Sequence, residues 1–245
     1  MRLSAFTTAV ILGCLAAPAN ARDSELFILG ALHGLHEREE SFGYDALYRV
    51  IEAIKPDVML LEVTPEELAG KLETKGRPEY PKVVWPMLAA RAPKAYAMEA
   101  AQPLYGELTS DASRSFAEFG AHFPAEDAAL TGHSKATAEV LVAHWKSVAD
   151  TQDEATDASA RARTHLTAAL VPGSVAGQRR WDATMVEVAR KAISENPGKR
   201  ILVLGSYRNR YMFVEHLHGM KGTRLVDMKA WLEEKGFGRG GSASR

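Results

Sequence analysis

The chain is expected to fold as an α/β protein: a mostly parallel β-sheet with flanking helices and a helical insertion between the third and fourth predicted strands. Three observations lead there. Apolar runs of strand length alternate with segments of helical periodicity. Two of those runs, VMLLEV (Val58 to Val63) and ILVL (Ile201 to Leu204), are continuous, as suits strands covered on both faces. Between Pro103 and Gly177 there is no convincing strand, only a stretch rich in Ala, Glu, Asp and Lys.

The elements follow in order. Residues 1–21 read as a signal peptide. Arg2 precedes an apolar or small run from Leu3 to Ala17, and Pro18-Ala19-Asn20-Ala21 supplies the small residues a signal peptidase reads. Export to the periplasm or outside the cell is therefore expected. Lipoprotein anchoring at Cys14 fits less well, because Leu12 departs from a lipobox and the signal would be short. Cys14 is the only cysteine, so the chain after Ala21 has no disulfide and no thiolate ligand or nucleophile. Residues 22–235 form one domain with its insertion at about 103–177, and 236–245 is a Gly/Ser-rich tail expected to fray.

Within the domain, Leu26–Leu29, Val58–Val63, Ala95–Met98 and Ile201–Leu204 are the four strands, with a last one in Arg224–Met228. A helix over Tyr44–Ile54 puts Leu47, Val50, Ile51 and Ile54 on one face and stops at Lys55-Pro56-Asp57. A second helix over Gln178–Glu195 repeats the pattern and ends at Asn196-Pro197-Gly198. The insertion reads as about three helices, with Asp150–Ala162 polar enough to be a loop or a mobile helix end. The charge balance, 30 basic against 31 acidic residues, leaves no footprint for nucleic acid or a membrane surface. No segment after the signal is apolar enough to span a bilayer.

Ligands of parallel sheets bind outside the carboxyl ends of the strands. His33 follows the first strand in Gly30-Ala31-Leu32-His33; Glu62 ends the second, Glu99 follows the third, and Arg208 follows the fourth in Gly205-Ser206-Tyr207-Arg208. Arg179 and Asp182, in RRWDATM, are expected in the first turn of the helix that feeds the fourth strand, where an acid suits the helix dipole. Each has a structural alternative. His33 can be a loop histidine, Glu62 a buried acid paired with Arg179 or Arg208, Glu99 a helix-starting carboxylate, and Asp182 a first-turn acid with Arg179 its partner. His36, Glu37, Glu39 and Glu40 read as solvated, and Tyr207 as surface packing in preference to a hydrogen-bonding or ligand residue. A Gly-x-Ser-x-Gly elbow, a P-loop, a dinucleotide fingerprint and His-Glu-x-x-His are all absent.

At LGALHG, KPDVMLLEV, RRWDATMVEVARKAISENPGKR and ILVLGSYR the chain resembles the TIKI/TraB superfamily, which also takes in ChaN-like haem-binding proteins and the erythromycin esterases. The resemblance covers roughly Leu26–Glu99 and Gln178–Met228. It implies that His33 and Glu62 belong to an active site. A second Gly-x-x-His is usual after the strand matched by ILVL; here arginine, Arg208, stands in place of that histidine, and a guanidinium does not ligate metal.

Two functional expectations result. The first is an exported hydrolase of a small-molecule ester or a peptide. His33 would be general base or metal ligand, Glu62 its partner, Arg208 or Arg179 the anchor of a carboxylate or oxyanion, and Asp182 the residue fixing that guanidinium. A divalent ion such as zinc or manganese would draw on His33, His36, Glu62 and Glu99. The second is a non-catalytic envelope protein that holds haem or another small ligand in the same crevice.

Overall fold

The structure, a computed structural model, describes residues 22–74 and 76–238. The expected signal peptide with Cys14, and residues 239–245 of the tail, lie outside the described residues. Five strands, β1 (Ser24–Ala31), β2 (Val58–Leu61), β3 (Lys94–Ala97), β4 (Arg200–Ser206) and β5 (Thr223–Leu225), form one parallel sheet in the order β3-β2-β4-β1-β5. Each expected strand is present, four of them displaced by no more than two residues at either end; the last ends at Leu225, three residues short of Met228, which starts a helix. In chain order the helices are α1 (Tyr44–Ile54), α2 (Pro65–Gly70), α3 (Trp85–Arg91), α4 (Leu104–His122), α5 (Pro124–His144), α6 (Glu154–Leu170), α7 (Val175–Ser194), α8 (Arg210–Leu217) and α9 (Met228–Glu234). Among the described residues no helix is long and apolar enough to cross a membrane.

The continuous apolar runs have the reason expected of them. Side chains alternate across a strand, so Phe27, Leu29, Met59, Leu61, Leu202 and Leu204 enter one apolar layer with Leu47, Val50, Ile51 and Ile54 of α1. Leu26, Ile28, Leu60, Ile201 and Val203 enter the other with Met185, Ala189, Ala192 and Ile193 of α7. Both faces of β1, β2 and β4 are buried, and in these three strands polar residues stand only at the ends.

Parallel pairing places Gly30 opposite Gly205 and Ala31 opposite Ser206 at the carboxyl edge. Both glycines are needed for close approach. A Cβ on Gly30 would lie 2.7 Å from Tyr207 Cα, and one on Gly205 would lie 2.7 Å from Glu62 Oε2. β5 pairs with β1 only as far as Leu26, so the rest of that edge needs other partners. Gln152 supplies them at Gly30. The Gly30 N–H donates to Gln152 Oε1 at 2.8 Å, and Gln152 Nε2 donates to the Gly30 carbonyl at 2.9 Å. Arg210 Nε donates to the Ile28 carbonyl at 3.3 Å and ion-pairs with buried Asp157.

Four expectations are corrected. Asp150–Ala162 is neither loop nor frayed end: Thr151, Gln152, Thr156, Asp157 and Ala160 are buried, held by polar pairs that a hydrophobic pattern does not register. His36 and Glu39 are buried rather than solvated. α7 begins at Val175, so Arg179 and Asp182 lie beyond the first turn and the dipole argument for Asp182 fails. In the tail, Phe237 packs against the core and its N–H donates to the Leu232 carbonyl at 2.8 Å.

Candidate functional site

His33 stands two residues past β1, with φ of 53°, a left-handed backbone that a non-glycine residue adopts rarely and at some cost. Its Nδ1 is 2.6 Å from Glu79 Oε1, and Glu79 is wholly buried (0% exposed), its other carboxylate oxygen without a hydrogen-bond partner. The imidazole is thus gripped at one nitrogen. Nε2 makes no hydrogen bond among the described residues, and the side chain stays 22% exposed. Glu79 lies just ahead of the π-helical turn Tyr80–Val84 that leads into α3. Glu62 was expected to orient this ring, and the structure gives that position to Glu79.

Glu62 follows β2, and its N–H continues the ladder to the Leu204 carbonyl at 3.1 Å. One carboxylate oxygen accepts the Ser206 N–H at 2.5 Å and the other accepts Asn209 Nδ2 at 3.1 Å. No cationic side chain among the described residues pairs with it, so the structural alternative of an Arg179 or Arg208 partner is not what holds it. Arg77 secures the segment from behind. It donates to the Glu62 carbonyl and pairs with Glu99 at 3.0 Å and Glu67 at 3.5 Å.

His33 and Glu62 line one polar hollow of about 270 Å³ with Asp182 and Arg208, so four of the expected residues converge. Asn209, Arg163, Thr164 and Gln178 are among the other residues that line it. Asp182 accepts Gln178 Nε2 at 2.8 Å, and burial, with Glu62 adding to it, pushes its carboxyl up. Tyr207 is buried beneath, edge-on to Trp145 at 5.5 Å, with its hydroxyl accepting from Arg208 Nε at 3.2 Å.

Three expected residues are elsewhere. Arg179 is exposed and lines an adjoining hollow with Asp182, Glu187, Arg190 and His216, without reaching the one that His33 lines. His36 has both ring nitrogens occupied, Nε2 by the Leu32 N–H at 2.9 Å and Nδ1 by the Phe42 carbonyl at 2.6 Å, and burial lowers its pKa. Glu99 is closed off by Arg77. The expected divalent-metal set of His33, His36, Glu62 and Glu99 is therefore not brought together. Among the described residues no three His, Cys, Asp or Glu side chains are grouped to hold an ion. A larger hollow of about 640 Å³ beside β5 contains acids and cations already paired with each other, Asp157 with Arg210 and Asp153 with Lys229.

No family profile, no curated protein and no solved structure matches the chain.

Glu79, Asn209 and Arg163 escaped the sequence reading because none sits at the end of an apolar run. Only Glu79 left a trace, as an acid set directly before the apolar YPKVVW.

Burial pushes the Glu99 carboxyl up to about 7, against the opposing pull of Arg77. A folded-state pKa above the ordinary value of 4.5 makes the folded form the stronger proton binder. Its contribution is complete below about pH 4.5 and declines as pH rises through about 7. Between pH 5 and pH 8 the wild type is expected to lose up to about 3 kcal/mol relative to Glu99→Gln, read from urea midpoints. An unchanged gap between the two proteins at both pH values would contradict this.

Proposed function

We propose that the chain is an exported hydrolase of the TIKI/TraB type that cleaves an ester or peptide bond, with His33 as general base and water as nucleophile. The observation that carries the reading is the 2.6 Å contact between His33 Nδ1 and the wholly buried Glu79. A proton on Nδ1, donated to Glu79, fixes the tautomer and leaves the Nε2 lone pair to accept a proton from water. The hydroxide equivalent then attacks the carbonyl, and Arg208 or the Asn209 amide can donate to the oxyanion. The imidazolium, stabilised by Glu79, returns its proton to the leaving oxygen or nitrogen as the carbonyl reforms. Ser206 is a poor alternative nucleophile. Its hydroxyl accepts the Arg208 N–H at 3.2 Å and makes no hydrogen bond with a histidine.

Among the described residues the donor set does not fit a resident metal. The haem or small-ligand reading draws less support. About 270 Å³ falls just under the range of roughly 300–1,000 Å³ usual for drug-sized ligands, and Tyr207 is buried. Assay of the full chain and of His33→Ala on ester and peptide panels tests the proposal. Turnover by the wild type, reduced about 10²–10⁴-fold in the variant, is the expected result. An inert wild type, or a variant as active as the wild type, overturns it.

A further inference from the structure

α6 carries two arginines a residue apart, and the structure treats them differently. Arg161 is neutralised by Glu215 at 2.9 Å and Glu154 at 3.5 Å. Arg163 has no carboxylate within ion-pair distance among the described residues; its Nε donates to Ser134 Oγ at 3.2 Å. Arg208 is in the same position. Its Nε donates to the Tyr207 hydroxyl, its guanidinium carbon stands 5.5 Å from the Tyr207 ring centre, and it too has no acidic partner. In neither side chain are the terminal NH₂ groups engaged by another described residue.

Both arginines line the hollow that contains His33, and both reach a small crevice against Tyr207 and Ser134. Burial weakens proton binding by Arg163, the nearby Arg208 adds to that effect, and only Tyr207 opposes it, with no carboxylate contributing. Like charges this close, Arg163 half-buried and Arg208 exposed, repel each other, and an anion between them relieves that repulsion. The acids of the same hollow do not serve. Glu62 is committed to the Ser206 N–H and Asn209, and Asp182 to Gln178. The hollow has an acidic flank and a guanidinium flank. A bound anion is steered to the second and repelled from the first.

We propose that Arg163 and Arg208 form an anion subsite, and that the substrate carries a carboxylate or phosphate beside the bond that is cleaved. Two guanidinium forks suit either group, since each can give paired N–H donors to two oxygens. The inference rests on the hydrolase reading for its second half. The helical insertion then contributes directly to selectivity, because Arg163 belongs to it.

The test has two parts. Inorganic phosphate and acetate are titrated separately, by calorimetry at low ionic strength, into the full chain and into Arg163→Gln, Arg208→Gln, Arg161→Gln and His33→Ala. The wild type, Arg161→Gln and His33→Ala are expected to bind one or both anions. Arg163→Gln and Arg208→Gln should each bind about 10- to 100-fold more weakly. Tighter phosphate assigns a phosphate-bearing substrate, and tighter acetate a carboxylate. In the second part, Arg163→Gln should raise KM for an anionic ester by a similar factor and leave a neutral ester of the same shape unchanged. Absence of anion binding by the wild type, or binding indifferent to both variants, overturns the subsite whatever the turnover. Anion binding that depends on Arg163, in a protein inert on every ester and peptide, keeps the subsite and removes the hydrolase.

Discussion

Replacing Glu79 by glutamine is expected to lower kcat by about 10²–10⁴-fold while KM stays within a few-fold of the wild type. The substitution preserves shape, but the amide no longer stabilises an imidazolium. It can also present its NH₂ to His33 Nδ1, which would move the ring proton to Nε2 and remove the lone pair on which the proposed mechanism depends. The contact concerned is the 2.6 Å approach of His33 Nδ1 to Glu79 Oε1. Because Glu79 lines no part of the hollow, substrate affinity should be spared. Steady-state kinetics of wild type and Glu79→Gln, with circular dichroism to verify the fold, decide the matter. A kcat within tenfold of wild type would leave Glu79 a packing residue.

The two edge glycines should respond in opposite ways to the same added methyl. Gly30→Ala sets a Cβ 2.7 Å from backbone Cα of Tyr207, which cannot withdraw without pulling β4 and β1 apart. Overpacking of this kind costs about 1–3 kcal/mol, and the upper end is expected here, read as a lower urea midpoint. Gly205→Ala instead meets Glu62 Oε2, the end of a side chain. That carboxylate can swing away by giving up the Ser206 N–H and Asn209. Stability should fall less, and catalysis should fall more than in Gly30→Ala. Equal losses of both properties in the two variants would refute the distinction.

The strands were legible because burial on both faces leaves an unbroken apolar signature, and α1 because Leu47, Val50, Ile51 and Ile54 recur at helical spacing. His33, Glu62 and Arg208 could be found for a related reason: a polar residue at the end of such a run in a parallel sheet has one edge on which to emerge. Asp182 was placed correctly in space although its helix starts three residues earlier than its apolar pattern. What stayed hidden is held by polar contacts. Glu79, Gln152 and Asp157 are buried by virtue of specific partners, and no periodicity announces a partner more than forty residues away. Arg179 fails for the converse reason. Its neighbourhood in sequence to Asp182 suggested a pair; it shares a hollow with Asp182 but is exposed, forms no ion pair with that acid among the described residues, and does not line the His33 hollow.

The paired bonds between Gln152 and Gly30 rivet the inserted helices to the central sheet, and Asp157 with Arg210 adds a second fastening. Swinging that cover aside would strand two main-chain groups in a dry interior, at roughly 1–3 kcal/mol each. A ligand of the His33 hollow would therefore have to suit its shape as it stands, because the inserted helix that forms part of its wall is held to the sheet.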